Sequence, residues 1–522
     1  MKAANFFSRI RELLTFERAF IIIFLLALLL RFVFLDLKLF HHDEAIHAWF
    51  SFRLLSEGIY QYSPVYHGPL LYYVTAGVFA LLGDSDLTAR LVPALLGTLL
   101  IPLTYVIHRL GYLTKPQTLL AALFIAISPD MVYFSRFLRN DIFIIFLTLA
   151  LLVCLLLYIE RGQLRYALLA GLVSGLGIAC KENMPIILLI FAVYLLYLII
   201  SGRWELPGTW KRDFILAMML VGGIVTVLYS SFGMHPEMAT DWWLRAIEHW
   251  TAMHQEQRLG GPPYIYVLLF MLYELPILLL ALFATGQFLL KRKRITTPTF
   301  PEIVAKSLAQ LRSITVRKID RNHEFTRFCI FWMLASMLVY AYIGEKVPWL
   351  ILHQLLPMIF VSVYLLSKKK AVIAVAGSVF LIVICMHLVF TPADINEPIV
   401  QVQNSEELRE TMALIDASDN VAIATTGYWP LPWYYRGDRG SKLSYLTNKW
   451  EEPDFFSDGR YDLIITHDTE SFDNLTGYQK RTFRASYWFS YYDNKDRLIQ
   501  YYFMRDGPAG SVNWDIFSKK AV

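Results

Sequence analysis

Long apolar runs separated by short polar segments dominate the first three quarters of the chain. A helix needs about 20 residues to cross a hydrocarbon layer of about 30 Å, and apolar runs of about that length recur up to residue 390. The run 68–82 is shorter and contains Gly77, so we predict a juxtamembrane or re-entrant helix there. We predict spans at 18–35, 87–109, 117–135, 141–159, 166–180, 184–200, 213–231, 264–290, 326–343, 348–366 and 371–390. The pattern predicts a polytopic α-helical membrane protein of about 11 transmembrane helices plus juxtamembrane helices.

The pattern changes after Phe390, where a polar linker (391–398) replaces the apolar runs. A helix with favourable N-cap chemistry is predicted from Ser405. Short strands are predicted at 421–424, 461–466 and 496–503. We therefore predict a transmembrane domain over 1–390 and a small C-terminal α/β domain over 391–522. The second domain has neither a Gly-rich phosphate loop nor a nucleophile elbow, so we assign it substrate guidance.

Composition supports the membrane class and excludes others. The 522 residues are 56% hydrophobic and 17% charged, with a net charge of +5. A nucleic-acid partner would need basic residues concentrated on a folded face, whereas here they lie in short loops between apolar runs, so no nucleic acid is expected. The four cysteines form no metal-binding spacing and no disulfide framework.

The distribution of basic residues predicts the orientation in the membrane. Lys and Arg collect on the side that holds the N-terminus, including a long loop at 291–325, whereas the His-rich and acid-rich motifs fall on the other side. Basic loops stay cytoplasmic in multi-pass proteins. We therefore expect a plasma-membrane protein with a cytoplasmic N-terminus. The first outer loop (36–86) and the C-terminal domain are expected on the extracytoplasmic face.

The outward motifs contain the candidate chemistry. His41, His42 and His47 surround Asp43 and Glu44 in the first outer loop. Further outward segments supply the cations Arg136, Arg139, Lys181 and Lys346. Arg and Lys neutralise phosphate, and a carboxylate at the interface can take a proton from an attacking hydroxyl. The motifs are thus suited to a lipid phosphate and a hydroxyl acceptor.

Other interpretations of these residues remain open. Asp43 and Glu44 can form a solvated helix cap, and the histidines can be packed and hydrogen-bonded. Arg136 and Arg139 can be interfacial side chains that extend to the membrane surface. Lys181 and Glu182 can form a local ion pair. Zinc or another divalent metal stays an alternative, because His and carboxylates are suitable ligands, although the spacing is not that of a His-Glu-x-x-His metalloprotease.

Several motifs together resemble the GT-C fold, the integral-membrane glycosyltransferases that use polyprenyl-phosphate sugars. These include the protein O-mannosyltransferases and the aminoarabinose transferases. The resemblance rests on Asp43-Glu44, His67-Gly68-Pro69 and the segment 81–86. It is closest to the prokaryotic flippase-activity-associated subfamily, through 42–45, 66–69, 135–141, 181–183, 345–350 with His353, and 428–433. The pair His41-His42 departs from the His-Trp pair expected there.

The resemblance implies roles for individual residues. Asp43 would be the catalytic base, with Glu44 structural or assisting. Arg136, Arg139 and Lys181 would hold the donor phosphate. The cavity would be completed by Asp141, Glu345, Lys346 and His353. We add His42, His47, His67 and Glu182 to the substrate-binding set, and no metal or other cofactor is assigned.

Three functions follow from these observations. The first is a glycosyltransferase that moves a monosaccharide from a polyprenyl-phosphate sugar lipid to a glycan, lipid or protein acceptor at the outer face. The second is a non-catalytic component of lipid-linked sugar translocation. It is disfavoured because the charged motifs lie at one face and not along a route through the membrane. A secondary transporter is disfavoured because no broken-helix pairs are recognised.

Overall fold

The computed structural model describes residues 15–58, 60–256, 261–292, 320–364, 367–472 and 475–520. Most of the predicted cytoplasmic loop 291–325 lies outside the described residues. The chain divides into two compact units. The first comprises Met1–Val33, Tyr60–Val74 and Arg90–Val389, and the second comprises Phe34–Ile59, Thr75–Ala89 and Phe390–Val522. Parts of the first outer loop are thus grouped with the C-terminal segment, and the predicted boundary at 390 stays a prediction.

The described part of the chain up to residue 390 is helical. Its helices are α1 (Phe16–Phe32), α2 (His42–Glu57), α3 (Leu70–Leu82), α4 (Asp86–Arg109), α5 (Lys115–Ile127), α6 (Pro129–Ser135), α7 (Asn140–Arg161), α8 (Leu164–Ile178), α9 (Met184–Ile200), α10 (Trp210–Tyr229), α11 (Met238–Glu256), α12 (Ile265–Tyr273), α13 (Leu275–Arg292), α14 (Arg321–Tyr342), α15 (Leu352–Ser362) and α16 (Lys368–Phe390). Short 3-10 turns cover Pro64–Tyr66 and Pro348–Ile351.

Several of these helices can cross a membrane. Within the described residues, α4, α7, α10, α14 and α16 are long and apolar enough, and up to seven spans result if each of two bent helix pairs counts as one. The chain is accordingly a multi-pass α-helical membrane protein. The predicted number of about 11 spans stays a prediction, because α8, α9 and α15 are shorter than a full crossing. The run 68–82 forms α3, which is also short.

Two predicted spans are each broken in the middle. The helices α5 and α6 meet at an angle of 56°, and α12 and α13 meet at 113°. Each break stands next to a proline, Pro129 or Pro276, whose missing N–H prevents a continuous helix. The carbonyl groups of Ile125 and Ala126 at the end of α5 are satisfied by the buried Arg31 guanidinium, at 2.8 and 3.2 Å. The broken pairs missed in the sequence therefore have identifiable causes.

The second unit is built on a six-stranded sheet. Its strands are β1 (Gln403–Asn404), β2 (Val421–Ile423), β3 (Leu443–Tyr445), β4 (Leu463–His467), β5 (Tyr478–Phe489) and β6 (Ala509–Lys519), in the order β1-β5-β6-β4-β2-β3. The strand β2 is parallel to β3 and β4, and the other pairs are antiparallel. Successive residues of β2 and β4 pack into separate apolar clusters on the two faces, as alternation along a strand requires.

The helices after Phe390 are short. They are α17 (Leu408–Asp416), α18 (Leu431–Tyr434), α19 (Tyr491–Asn494) and α20 (Leu498–Met504), with 3-10 turns at Gly437–Lys442, Lys449–Glu451, Pro453–Phe456 and Lys495–Arg497.

The predicted strand at 496–503 is wrong, because most of this segment forms α20. Its Tyr501 is buried, whereas Ile499 and Phe503 are 80% and 74% exposed, so the apolar run does not cross the sheet core. The true strands β5 and β6 form a long antiparallel hairpin around this segment. The strand β5 was not predicted because many of its residues are polar, whereas the prediction relied on apolar runs.

Candidate functional site

In the first unit, Asp141 lies between two cations. It is the second residue of α7 and is buried. Its Oδ1 lies 2.6 Å from Lys181 Nζ, and its Oδ2 accepts a hydrogen bond from Arg139 Nε at 3.1 Å. A buried carboxylate requires such partners, because burial without them costs several kcal/mol. The structure thus brings three of the predicted site residues together.

Two cationic side chains meet at this cluster. Lys181 and Arg139 both contact the Asp141 carboxylate. The guanidinium carbon of Arg139 also lies 3.6 Å from the ring centroid of Trp349, which fixes its plane by cation–π attraction. This is an arrangement that can attract an anion such as a phosphate.

His353 adjoins the same cluster. Its Nε2 lies 3.9 Å from Asp141 Oδ1 and 3.2 Å from Asn183 Nδ2, and its ring stacks on Tyr340 at 5.2 Å. Its Nδ1 is buried and has no hydrogen-bond partner among the described residues. The imidazole is therefore held by its surroundings while one ring nitrogen keeps its hydrogen-bonding capacity.

A second contact in this unit joins His67 to Glu182. His67 has the left-handed φ of 63°, which is rare for residues other than glycine and costs about 1–3 kcal/mol. The next residue must be Gly68, because a Cβ there would lie 2.3 Å from the Ala179 carbonyl oxygen. This turn places His67 Nδ1 2.9 Å from Glu182 Oε2. Its ring lies parallel to Trp250 at 5.5 Å.

The electrostatics of this pair favour a neutral imidazole. Burial, and then the charge of Lys181, lower the pKa of His67, although Glu182 opposes the shift. Burial opposes ionisation of Glu182, but its contact with His67 dominates and lowers the pKa of that carboxyl. We infer that Nδ1–H of a neutral His67 donates to the Glu182 carboxylate. Tyr62 donates a second hydrogen bond to it at 3.1 Å.

Two of the predicted cations bind backbone carbonyls. Arg136 donates to the carbonyls of Leu30, Arg31 and Val33 at the end of α1. Lys346 donates to three carbonyls at the end of α14, including those of Tyr340 and Ala341 at 2.9 Å. Cations at helix C-termini are stabilising. These contacts supply a structural role for both side chains, and their assignment to substrate stays a prediction.

Glu345, next to Lys346, is partly buried. Its carboxylate makes no hydrogen bond or ion pair within the described part of the chain, so its assignment to the cavity also stays a prediction.

The His-rich motif belongs to the second unit, where it forms the start of α2. The Asp43 N–H donates to His41 Nδ1, and the His41 N–H donates to Glu44 Oε2, both at 3.0 Å. This reciprocal capping box satisfies two N–H groups at the beginning of the helix. Glu44 and His47 are buried, whereas the side chains of His42 and Asp43 are partly exposed.

The C-terminal segment fixes the residues before α2. Asn404 Nδ2 donates to the Phe40 carbonyl at 2.7 Å, and the Phe40 N–H donates to Tyr434 Oη at 2.9 Å. Asp86 accepts hydrogen bonds from Trp433 Nε1 at 2.7 Å and from Tyr434 Oη at 3.0 Å. The motif at 428–433 therefore holds the first outer loop, and Asp86 is a positioning residue that the sequence analysis did not identify.

Two buried acids were also missed. Asp130 and Glu274 lie at the breaks of the bent helix pairs, inside runs that the sequence analysis treated as continuous spans. An acid within an apolar run is itself a signal of function, and it was available in the sequence.

The described residues contain no group of three or more His, Cys, Asp and Glu side chains placed to hold a metal ion. The divalent-metal alternative therefore stays a prediction with no ligand set.

Comparison with known proteins identifies the fold. A family model described as dolichyl-phosphate-mannose-protein mannosyltransferase matches residues 66–231, less than half of the chain. No curated protein sequence matches. The structure is similar to ArnT from Cupriavidus metallidurans bound to undecaprenyl phosphate, with a TM-score of 0.59 and 13% identity over 86% of this chain and 93% of that chain. The apo state of the same protein gives a TM-score of 0.50 and 14% identity over 86% and 93%. The predicted GT-C fold is thereby confirmed.

Proposed function

From the GT-C fold, we propose that the protein is a membrane glycosyltransferase. It moves a monosaccharide from a polyprenyl-phosphate donor to a glycan, lipid or protein acceptor at the extracytoplasmic face. Asp43 acts as the base, and Arg139 and Lys181 bind the donor phosphate.

The observation that carries the proposal is the meeting of two cations at Asp141. Lys181 and Arg139 both contact its carboxylate, and both cations are held in place, one by the 2.6 Å contact and the other by Trp349. A phosphate brought to these side chains would meet two positively charged donors that need no new ordering of the protein. The similar protein ArnT is described as bound to undecaprenyl phosphate, which has this headgroup chemistry.

The surroundings of Asp43 support its role as the base. A base must reach the acceptor hydroxyl, and Asp43 is partly exposed, whereas the adjacent Glu44 is buried and accepts a hydrogen bond from the His41 N–H. The contact that Asp43 makes in the capping box comes from its backbone N–H. We therefore assign Glu44 to positioning.

The reaction requires one displacement. The acceptor oxygen attacks the anomeric carbon as its proton passes to the Asp43 carboxylate. The bond between the anomeric carbon and the phosphate oxygen breaks, and the lipid phosphate leaves with the electron pair. Arg139 and Lys181 stabilise the charge that develops on this leaving group. Attack opposite the leaving group inverts the anomeric configuration.

Activity is tested with purified protein in lipid nanodiscs, a panel of radiolabelled polyprenyl-phosphate monosaccharides and a membrane lipid extract as acceptor. We expect label from one donor to enter a new product. Binding of the lipid without product from any donor or acceptor would favour the translocation component instead.

The phosphate assignment is tested with Arg139→Gln, which removes one charged donor. A hydrogen bond to a charged group contributes about 1.5–3 kcal/mol, so donor affinity should fall by about 10–100-fold. Arg53→Gln is the matched control, because Arg53 forms a more exposed ion pair with Glu57. Equal donor affinity of Arg139→Gln and wild type would remove Arg139 from the binding site.

A further inference from the structure

Asp130 and Glu274 bring two carboxyl groups together deep inside the first unit. Asp130 is the second residue of α6, directly after the 56° bend, and Glu274 is the residue at the 113° bend between α12 and α13. Their exposed fractions are 1% and 0%. Neither belongs to the candidate site described above.

The hydrogen bonds of this pair are incomplete. Glu274 Oε1 accepts from Ser128 Oγ at 2.5 Å and from the Asp130 N–H at 3.1 Å. The other oxygen of Glu274, Oε2, and Oδ2 of Asp130 are buried and have no hydrogen-bond donor among the described residues. The hydrogen bond from the Asp130 N–H shows that the Glu274 carboxyl group lies against Asp130. Each carboxyl group thus has an oxygen that could accept a hydrogen bond from the other carboxyl group if that group were protonated.

Nearby cations do not neutralise the pair. Neither acid forms a salt bridge in the part of the chain that the structure describes. The guanidinium of Arg31 binds Ser135 Oγ and the carbonyls at the end of α5, and Arg136 binds the end of α1. A further titratable neighbour is the buried thiol of Cys385 on α16, which interacts electrostatically with Glu274 and with both arginines.

We propose that Asp130 and Glu274 form a proton-binding site in which one proton is shared between the two carboxyl groups at neutral pH. Two like charges at this separation in a buried site cannot both persist, and one proton satisfies both unpartnered oxygens. The shared proton also links α6 to the α12–α13 break, so its loss at alkaline pH leaves two repelling carboxylates between two broken helices.

The site favours a proton over a metal cation as its ligand. Divalent ions such as Ca²⁺ need about 6–8 oxygen ligands, and Mg²⁺ requires octahedral geometry. Here the two buried carboxyl oxygens that lack a hydrogen-bond donor within the described part of the chain, Asp130 Oδ2 and Glu274 Oε2, are too few to coordinate either ion. A monovalent cation in place of the proton is a separate outcome of the test.

Infrared spectroscopy of the full-length protein in a detergent without ester groups tests the proposal. A protonated carboxyl gives a carbonyl band that an ionised one lacks. We expect wild type to show this band at pH 7 in sodium-free buffer, and Asp130→Asn/Glu274→Gln to lose it. Asp213→Asn is the matched control, because Asp213 is buried but paired with Arg212, and the band should survive there.

Two results would overturn the site. One is the absence of the band in wild type at pH 7, and the other is its persistence in the folded double variant. A band that disappears when sodium is added would also contradict the proposal, since the ligand would then be exchangeable with a cation.

A second measurement tests the proposal even if the double variant does not fold. The single variant Asp130→Asn keeps the side-chain size and supplies an amide N–H to Glu274. The melting temperature of wild type should fall from pH 7 to pH 9 as the proton is lost, and this fall should be smaller in Asp130→Asn. Equal pH profiles of the two proteins would contradict the shared proton. Neither measurement depends on glycosyl transfer.

Discussion

Asp43 and Asp141 occupy the same local position in different surroundings. Each is the second residue of a helix, where the helix dipole stabilises a carboxylate. Asp43 begins α2 in the second unit and is partly exposed, whereas Asp141 begins α7 in the first unit and is buried against Lys181 and Arg139. The helix position is therefore common to both, and the neighbours differ.

The different surroundings suit the two carboxylates to different roles. A carboxylate held between two cations is stabilised as an anion and positions those cations, so it is poorly suited to accept a proton. A partly exposed carboxylate on a fixed helix start can exchange protons with a bound hydroxyl. Under the proposed function, Asp141 therefore positions the cations, and Asp43 takes part in the chemistry.

The largest effect is expected from Lys181→Met. This change leaves Asp141 with one cation and a buried charge, and breaking a buried ion pair costs about 3–5 kcal/mol. The free energy of unfolding in detergent should fall by that amount. Lys211→Met is the control, since Lys211 is exposed and its loss should change stability by about 0.5 kcal/mol or less. Equal stabilities of the two variants would show that Asp141 does not depend on Lys181.

Acidification should destabilise the first unit through His67. Because burial lowers its pKa in the folded protein, the unfolded chain binds the proton more readily. The contribution of His67 to the free energy of unfolding is then fully present above the ordinary histidine pKa of about 6.5. It falls as the pH drops below that value, by at most about 1.4 kcal/mol per pH unit. Glu182, whose pKa is also lowered, adds a loss of the same sign below its ordinary value of about 4.3.

His67→Gln removes the histidine part of this dependence. The free energy of unfolding of this variant should depend less steeply on pH than that of wild type between pH 6.5 and pH 5, as measured by thermal unfolding in the same detergent. An unchanged slope would show that His67 is protonated equally well in the folded and unfolded protein.

A smaller effect is expected from Glu44→Ala. It removes the acceptor for the His41 N–H, and loss of a helix cap costs about 0.5–2 kcal/mol. Asp43→Asn keeps the capping box, because Asp43 contributes its backbone N–H there, and should lose less stability. If Asp43→Asn were the more destabilising of the two, Asp43 would be a structural residue and the comparison with Asp141 would fail.

The sequence predicted much of this arrangement, through patterns with direct physical causes. Apolar runs predicted the helices, and the Asp43, His67 and Lys181 motifs predicted the GT-C fold that the structural comparison confirms. The break before Pro276 was not predicted, because α12 and α13 are both apolar and together give one apolar run in the sequence. The strand β5 was missed because most of its first half is polar and exposed.

Side-chain contacts were less predictable than elements. Arg136 and Arg139 stand three residues apart in one motif, yet the first caps α1 and the second contacts Asp141. Which carbonyl or carboxylate a long cation reaches depends on tertiary packing, which a single sequence does not contain. Which of the two adjacent acids is buried, Glu44 or Asp43, likewise depends on where α2 begins.

The most direct test of the central claim is a comparison of Asp43→Asn with Asp36→Asn, an exposed aspartate of the same segment. Both proteins are purified in nanodiscs, and donor-lipid binding and sugar transfer are measured for each. We predict that Asp36→Asn behaves as wild type, while Asp43→Asn binds the donor with unchanged affinity and loses transfer by at least about 100-fold, as expected for removal of a general base. Transfer by Asp43→Asn at the wild-type rate would contradict the account.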